Sequence, residues 1–261
     1  MIISVSGRTG SIGRHLQRVE SFTTRLAEAA SNFDNEFKDS NPEAFIHLAA
    51  ITDIKSAANF EELSYEINVV GAVKTIQAFA RNGGRRFIFA STGHVYGLTE
   101  PGDFALESDT PMPKSVYAKH KLIAEEKLSQ IALGHDIELV NARIFSVFGE
   151  NMAEHYLASK IFNSQISSSI SADYPLVKNG LDVRDFLEPV TVANILYKLA
   201  TIDNIKSHGE TINICSGKPL TVMDRILIEF PKWPEGRIEK NNSETPYLVG
   251  SNKKIQKILP G

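Results

Sequence analysis

Ile2-Ile3-Ser4-Val5-Ser6-Gly7-Arg8-Thr9-Gly10-Ser11-Ile12-Gly13 stands at the start of the chain, and its order decides the fold. A short β-rich run, Ile2 to Ser6, leads straight into glycines at positions 7, 10 and 13, after which Arg14-His15-Leu16 can continue as helix. Strand, glycine turn and helix in that order are the context a phosphate-binding turn requires. Glycine permits the tight turn and lets the backbone approach a pyrophosphate, whose charge a helix N-terminus favours. Gly7, Gly10, Ser11, Ile12 and Gly13 are therefore candidate cofactor contacts. A plain loop is the competing reading of the same glycines.

Working outward, Ala44-Phe45-Ile46-His47-Leu48-Ala49-Ala50 reads as a buried strand whose small terminal residues, Ala49 and Ala50, leave space for a ligand across the sheet; core packing explains the same alanines. Arg86 to Ala90 and Leu139 to Phe145 read as further strands. Glu61 to Arg81 carries apolar residues at 63, 67, 70, 73, 76 and 79, the spacing of an amphipathic helix, and Gly83-Gly84 stops it. Asn68 inside that helix is a mediocre helix former and needs a structural or functional reason. Strands alternating with helices predict an α/β fold built on a doubly wound parallel sheet.

Between residues 14 and 43 there is room for one short strand, Phe22-Thr23-Thr24, where a full dinucleotide-binding half needs a strand ending in an acidic residue about 20 residues past the glycines. Arg25 follows instead. It suits the 2′-phosphate of NADP, and a solvated surface arginine fits equally. Asp34 to Ser40 is expected to cover the sheet edge as a short helix.

The chain has 261 residues, 42% apolar and 23% charged, with a net charge of −3. That is enough for one α/β domain with a small annex and offers no electrostatic footprint for nucleic acid or an anionic membrane. A single cysteine, Cys215, excludes an internal disulfide framework. With no signal peptide or apolar span in view, a soluble cytoplasmic protein is expected. No metal-ligand set stands out.

Ser115-Val116-Tyr117-Ala118-Lys119-His120-Lys121 places Tyr117 and Lys121 four residues apart on one helical face. A phenol titrates near pH ~10, and a fixed cation beside it favours the phenolate, so the pair can pass a proton to or from a sugar hydroxyl. A tyrosine packed on a helix above a solvated lysine is the bland alternative. Ser91-Thr92-Gly93-His94-Val95-Tyr96-Gly97 follows the strand at 86–90 and brings hydroxyls to the same sheet edge.

Taken together these motifs resemble the extended short-chain dehydrogenase/reductase family, in its nucleotide-sugar epimerase, dehydratase and reductase branch. The marks run in the family's order: the glycines at 7, 10 and 13, His47 to Ala50, Asn68 in Asn-Val-Val-Gly, Ser91 to Gly97, Tyr117 to Lys121, Arg143 to Gly149, Val183 to Leu187 and Ile212 to Leu220. The resemblance implies a Rossmann-like core at residues 1–150 with 183–215 returning to it, and a small substrate lobe formed by 151–182 and 216–261. It implies Thr92, Tyr117 and Lys121 as catalytic residues, with Tyr117 the acid/base and Lys121 on the nicotinamide ribose. Asn68, Ala49, Ala50 and Phe145 would border NADP or NAD, and Arg184 would bind the substrate's diphosphate.

Two departures narrow the reaction. The 4,6-dehydratases of the family carry an acidic pair after the catalytic threonine, where this chain has Gly93-His94. Ser146 stands where a 4-epimerase has a sugar-contacting asparagine. His94 is left as a substrate contact or second acid/base, with a structural histidine as the alternative. The expectation is an NAD(P)-dependent 4-ketoreductase of a nucleotide-linked sugar, working as a homodimer. The alternatives are a 4-epimerase and a non-catalytic dinucleotide sensor or scaffold.

Overall fold

The computed structural model describes residues 1–16, 20–21, 37, 42–154, 156–166, 174–203, 205, 207–239 and 245–259. Its first strand, β1 (Ile3–Ser6), is followed by β2 (Glu20–Ser21) and β3 (Ala44–His47). A helical run comes next: α1 (Ile54–Asn59), α2 (Glu61–Tyr65), a π-helical segment (Glu66–Gly71) and α3 (Ala72–Arg81). Then come β4 (Arg86–Thr92), α4 (Val116–Gly134), β5 (Glu138–Ile144), β6 (Ser146–Val147), α5 (Leu157–Ile166), β7 (Val183–Leu187), α6 (Pro189–Thr201) and β8 (His208–Ile214). The last elements are β9 (Pro219–Thr221), α7 (Val222–Glu229), β10 (Tyr247–Leu248) and α8 (Lys253–Ile258).

Six parallel strands form the main sheet in the order β2-β1-β3-β4-β5-β8. Because side chains alternate across a strand, its two faces carry different chemistry. Phe45, Phe87, Phe89 and Leu139 point to one face and pack on Ile76 and Phe79 of α3 and on Ala124, Leu128 and Ala132 of α4. Ile46, Ile88, Ala90, Val140, Ala142, Ile212 and Ile214 point to the other and pack on Val192, Ala193, Leu196 and Leu199 of α6. Phe45 and Phe87, paired in register, stack with ring centroids 5.4 Å apart. The strand and helix assignments at 2–6, 44–50, 86–90 and 139–145 hold to within a few residues.

Between β1 and β3 the chain departs from expectation. Gly13–His15 forms one 3₁₀ turn, and Leu16 is already extended (ψ 114°). The partner strand is Glu20–Ser21, just before the expected Phe22 to Thr24, which lies outside the described residues. Arg25 and the expected helix from Asp34 lie outside them too, apart from Phe37, which is buried against Phe45 and Phe79. The physical reason for the lost helix is length: once the glycine turn has closed, too few residues remain before β2 for the dozen or so that a helical crossover needs.

A smaller sheet, β10-β7-β6 with β9 antiparallel to β7, stands beyond β5. So β7 sits in this second sheet, whereas α6 and β8 return to the main one. Around it Phe148, Met152, Ile161, Val177, Ile226 and Trp233 form a separate apolar cluster. Among the described residues no helix is long and apolar enough to cross a membrane.

Candidate active site

The chain leaves β1 to add β2 on one side and returns to add β3 on the other, so the carboxyl ends of β1 and β3 flank a topological switch point. The glycine turn sits there. Gly7 has φ +75°, and a Cβ on it would stand 2.9 Å from the Ala49 nitrogen. A Cβ on Gly13 would meet the Gly7 carbonyl at 2.2 Å. The turn is closed by Gly10 N–H to the Gly7 carbonyl (3.0 Å) and by Arg8 Nη1 to the Gly13 carbonyl (2.6 Å). Ser6 Oγ ties it to β3 through His47 Nδ1 (3.2 Å) and the Ala49 N–H (3.4 Å). Burial, with Lys121 nearby, pushes His47 down to about 3, so its ring is neutral.

Ala49 and Ala50 are half-buried at the end of β3, and the next residue is held by Asn68. The Asn68 amide accepts from Ile51 N–H (2.8 Å) and donates to the Ile51 carbonyl (2.9 Å) and Ser64 Oγ (3.2 Å). Its side chain is thus spent on shaping the loop that lines the cleft. That explains why an asparagine sits in this helix, and the π segment around it is a device often found at functional sites.

β4 delivers Thr92 to the same edge. Thr92 Oγ1 accepts from the His94 N–H (3.2 Å) and so caps the 3₁₀ turn Gly93–Tyr96. Ser115 Oγ accepts from Ala118 N–H (3.2 Å) and starts α4, which places Tyr117 in the first turn and Lys121 in the second. The Thr92 hydroxyl lies near enough to Tyr117 to influence its phenol. Burial pushes the Tyr117 phenol well above the usual tyrosine range; nearby Tyr156 adds to the shift and the Thr92 hydroxyl opposes it. Lys121 is 1% exposed, donates to the Ala90 carbonyl (2.7 Å) and lies 4.5 Å from the Phe89 ring centre. Burial brings it down to about 7 against the pull of Glu125. At neutral pH the phenol is therefore a loaded proton donor beside a lysine close to its own titration point.

His94 lies near enough to Arg184 to feel its charge. Burial lowers His94 to about 4 and the Arg184 charge adds to this, so a neutral ring faces a guanidinium. Arg184 donates to the carbonyls of Val183 (3.0 Å) and Pro246 (3.1 Å) and to Asp182 Oδ2 (2.8 Å). Its neighbour Asp185 is fully buried and accepts from Ser216 N–H (2.6 Å), Ser216 Oγ (2.7 Å) and Gly217 N–H (2.8 Å), which binds β7 to the turn after β8. Ser146 is half-buried and pairs with Phe186 of β7. Phe145 packs as core: it stacks on Tyr96 (6.2 Å), and Cβ atoms built on Gly93 and Gly250 would stand 2.9 and 2.6 Å from its ring.

One residue escaped the sequence reading. Tyr156 donates to Thr52 Oγ1 (2.5 Å), and three residues earlier Ala153 N–H donates to Ser11 Oγ (3.2 Å). The segment thus reaches from the small lobe to both the glycine turn and the loop after β3. No periodicity or motif marks Tyr156, because its partners are about a hundred residues away.

A doubly wound sheet with a glycine turn at one strand end and a buried threonine, tyrosine and lysine beside it defines a Rossmann-like protein of the short-chain dehydrogenase/reductase class. The model of the NAD dependent epimerase/dehydratase family matches residues 20–215, and the chain belongs to that family, which works with NAD or NADP. It is 28% identical over 244 residues to the GDP-6-deoxy-D-mannose reductase of Pseudomonas aeruginosa, covering 87% of this chain and 77% of the relative. It is 24% identical over 240 residues to a UDP-glucose 4-epimerase of Rhizobium meliloti, covering 84% and 71%. The fold is similar to MoeE5 in complex with UDP-glucuronic acid and NAD, with a TM-score of 0.84 at 19% identity over 100% of this chain and 93% of that one. It is also similar to RMD from Pseudomonas aeruginosa complexed with NADPH, with a TM-score of 0.82 at 22% identity over the same shares of the two chains.

Proposed function

We propose that the chain is an NAD(P)-dependent reductase of a nucleotide-linked 4-keto sugar. What supports this reading is the buried Tyr117 phenol beside Thr92, where burial favours its protonated form. A reductase needs a proton donor at the nascent alkoxide, whereas an epimerase must first remove a proton from a hydroxyl. When bound, the reduced nicotinamide supplies the hydride. The chain's own residues do the rest: the Thr92 hydroxyl steadies the reacting oxygen, Tyr117 protonates it and Lys121 charges the pocket. Arg184 and His94 reach the substrate from the side of the small lobe. That lobe, residues 151–182 and 216–261, is the region for the sugar nucleotide, and the main sheet with the glycine turn is the region for the dinucleotide. The reductase from Pseudomonas aeruginosa supports the reading, as does the NADPH in its structural neighbour.

A 4-epimerase is the second reading, favoured by the UDP-glucose 4-epimerase relatives. The experiment that separates them is cofactor state. Freshly purified protein is denatured and its supernatant assayed for NAD(H) and NADP(H), and the native protein is titrated with NADPH and NADH by fluorescence. Empty protein that binds added NADPH supports the reductase; stoichiometric NAD that survives purification supports the epimerase. If neither cofactor is present or binds, the chain is a non-catalytic relative.

A further inference from the structure

The reaction as read above leaves one buried carboxylate without a part. Glu125 lies on α4 one turn beyond Lys121 and two beyond Tyr117, on the face those residues share, and is 4% exposed. It accepts from Ser91 Oγ of β4 and, as a fork, from Arg143 of β5, with Nη2 to Oε2 at 2.7 Å and Nε to Oε1 at 3.1 Å. Arg143 is 5% exposed and lies 4.8 Å over the ring of Tyr96, whose hydroxyl donates to Asn213 Oδ1 (2.7 Å). Each of these partners adjoins the site. Ser91 precedes Thr92, and Tyr96 ends the turn that carries His94.

An ion pair at this depth is a weak source of stability, because the cost of desolvating two charges offsets most of their attraction. Its position suggests another role. Lys121 is more deeply buried still, and the described groups bonded to it or packed on it are the neutral Ala90 carbonyl and the Phe89 ring. The titratable groups that interact with it are Glu125 on α4 and His47 on β3, with Tyr117 one turn away on the same helix face. Of these only Glu125 supplies negative charge.

We propose that Glu125 is a positioning residue for the acid/base pair: its carboxylate, gripped by Arg143 and Ser91, holds Lys121 in the ammonium form on the Tyr117 face of α4. Burial works against that ammonium and Glu125 works for it, which is the direction required. The proposal rests on the reading of Tyr117 and Lys121 as the acid/base pair, and its test is independent of turnover.

The test is the pH dependence of folding stability, by chemical denaturation, of the wild type, K121M, E125Q and E125Q/K121M. A lysine titrates near ~10.4 unfolded, and Lys121 titrates at about 7 folded. Below that window both states hold the proton. Within it only the unfolded state does, so the wild type gains stability over K121M as pH rises. The gain is expected to begin near 7 with Glu125 present and at least about one pH unit lower in the E125Q background. The alkaline limb of kcat, once a substrate is in hand, moves down in parallel, and E125D restores both. An onset at the same pH in both backgrounds overturns the proposal, as does a uniform rate loss with an unmoved pH profile. If E125Q does not fold, E125Q/R143M removes the orphaned cation, and the same lower onset is expected of it. A shifted onset in a protein that reduces no sugar would leave this inference standing and the reductase reading lost.

Discussion

Gly93 follows the catalytic candidate Thr92, and a single added carbon there would stand 2.9 Å from the Phe145 ring. An acidic side chain at 93 needs that carbon. The acidic pair of the dehydratases is thus excluded here by packing as well as by sequence. G93A should destabilise the protein by about 1–3 kcal/mol, and F145L in the same chain should recover most of that, as read from denaturant midpoints. The departure at 93 was legible in the sequence; its cause was not, because Gly93 and Phe145 meet only through the pairing of β4 with β5. Tyr117 and Lys121 were picked out by their spacing together with the motifs around them. What the spacing misjudged was the balance of forces: burial raises the phenol, and what opposes it is the Thr92 hydroxyl, not the lysine four residues on. Y117F should therefore lose turnover by about 10²–10⁴-fold while the fluorescence titration with NADPH is unchanged.

At the scale of elements, the periodicity of residues 61–81 announced a helix, and the π segment inside it was invisible because one extra residue per turn hardly alters a three-and-four spacing. Asn68 was the only clue. N68A strips two hydrogen bonds from the Ile51 backbone and should cost about 2–3 kcal/mol, with hydrogen exchange of the 49–52 amides rising as the loop loosens. The helix expected after Gly13 failed for a reason of chain length that composition does not reveal. β3 carries its own pH signature. His47 titrates near ~6.5 unfolded and about 3 folded, so between those values only the unfolded state binds the proton and stability falls as the solution is acidified. H47N should flatten that part of the stability profile relative to the wild type.

For the whole molecule, alternating strands and helices were sufficient to specify a doubly wound sheet, and the eight motifs in order to specify the family. The second sheet was not foreseeable, since β6, β9 and β10 are only two or three residues long. Nor was the surface. Ile76 packs on the chain's own sheet, whereas Phe60 and Leu63 are 62% and 50% exposed beside a groove that also borders His120. If the wild type runs as a dimer through that face, F60D/L63D should run as a monomer in size-exclusion chromatography with light scattering.

Phe145 has one more consequence. It is the single residue between the last strand turn of β5 and the start of β6, and so the only link where the chain steps from one sheet to the other at that point. Its ring is pinned on one side by Gly93 and on the other by Gly250 of the small lobe. One ring thus packs against both Gly93, next to Thr92, and Gly250. Because packed interiors transmit strain, a change of size at position 145 is expected to act on the Thr92 turn and on the Gly250 segment together.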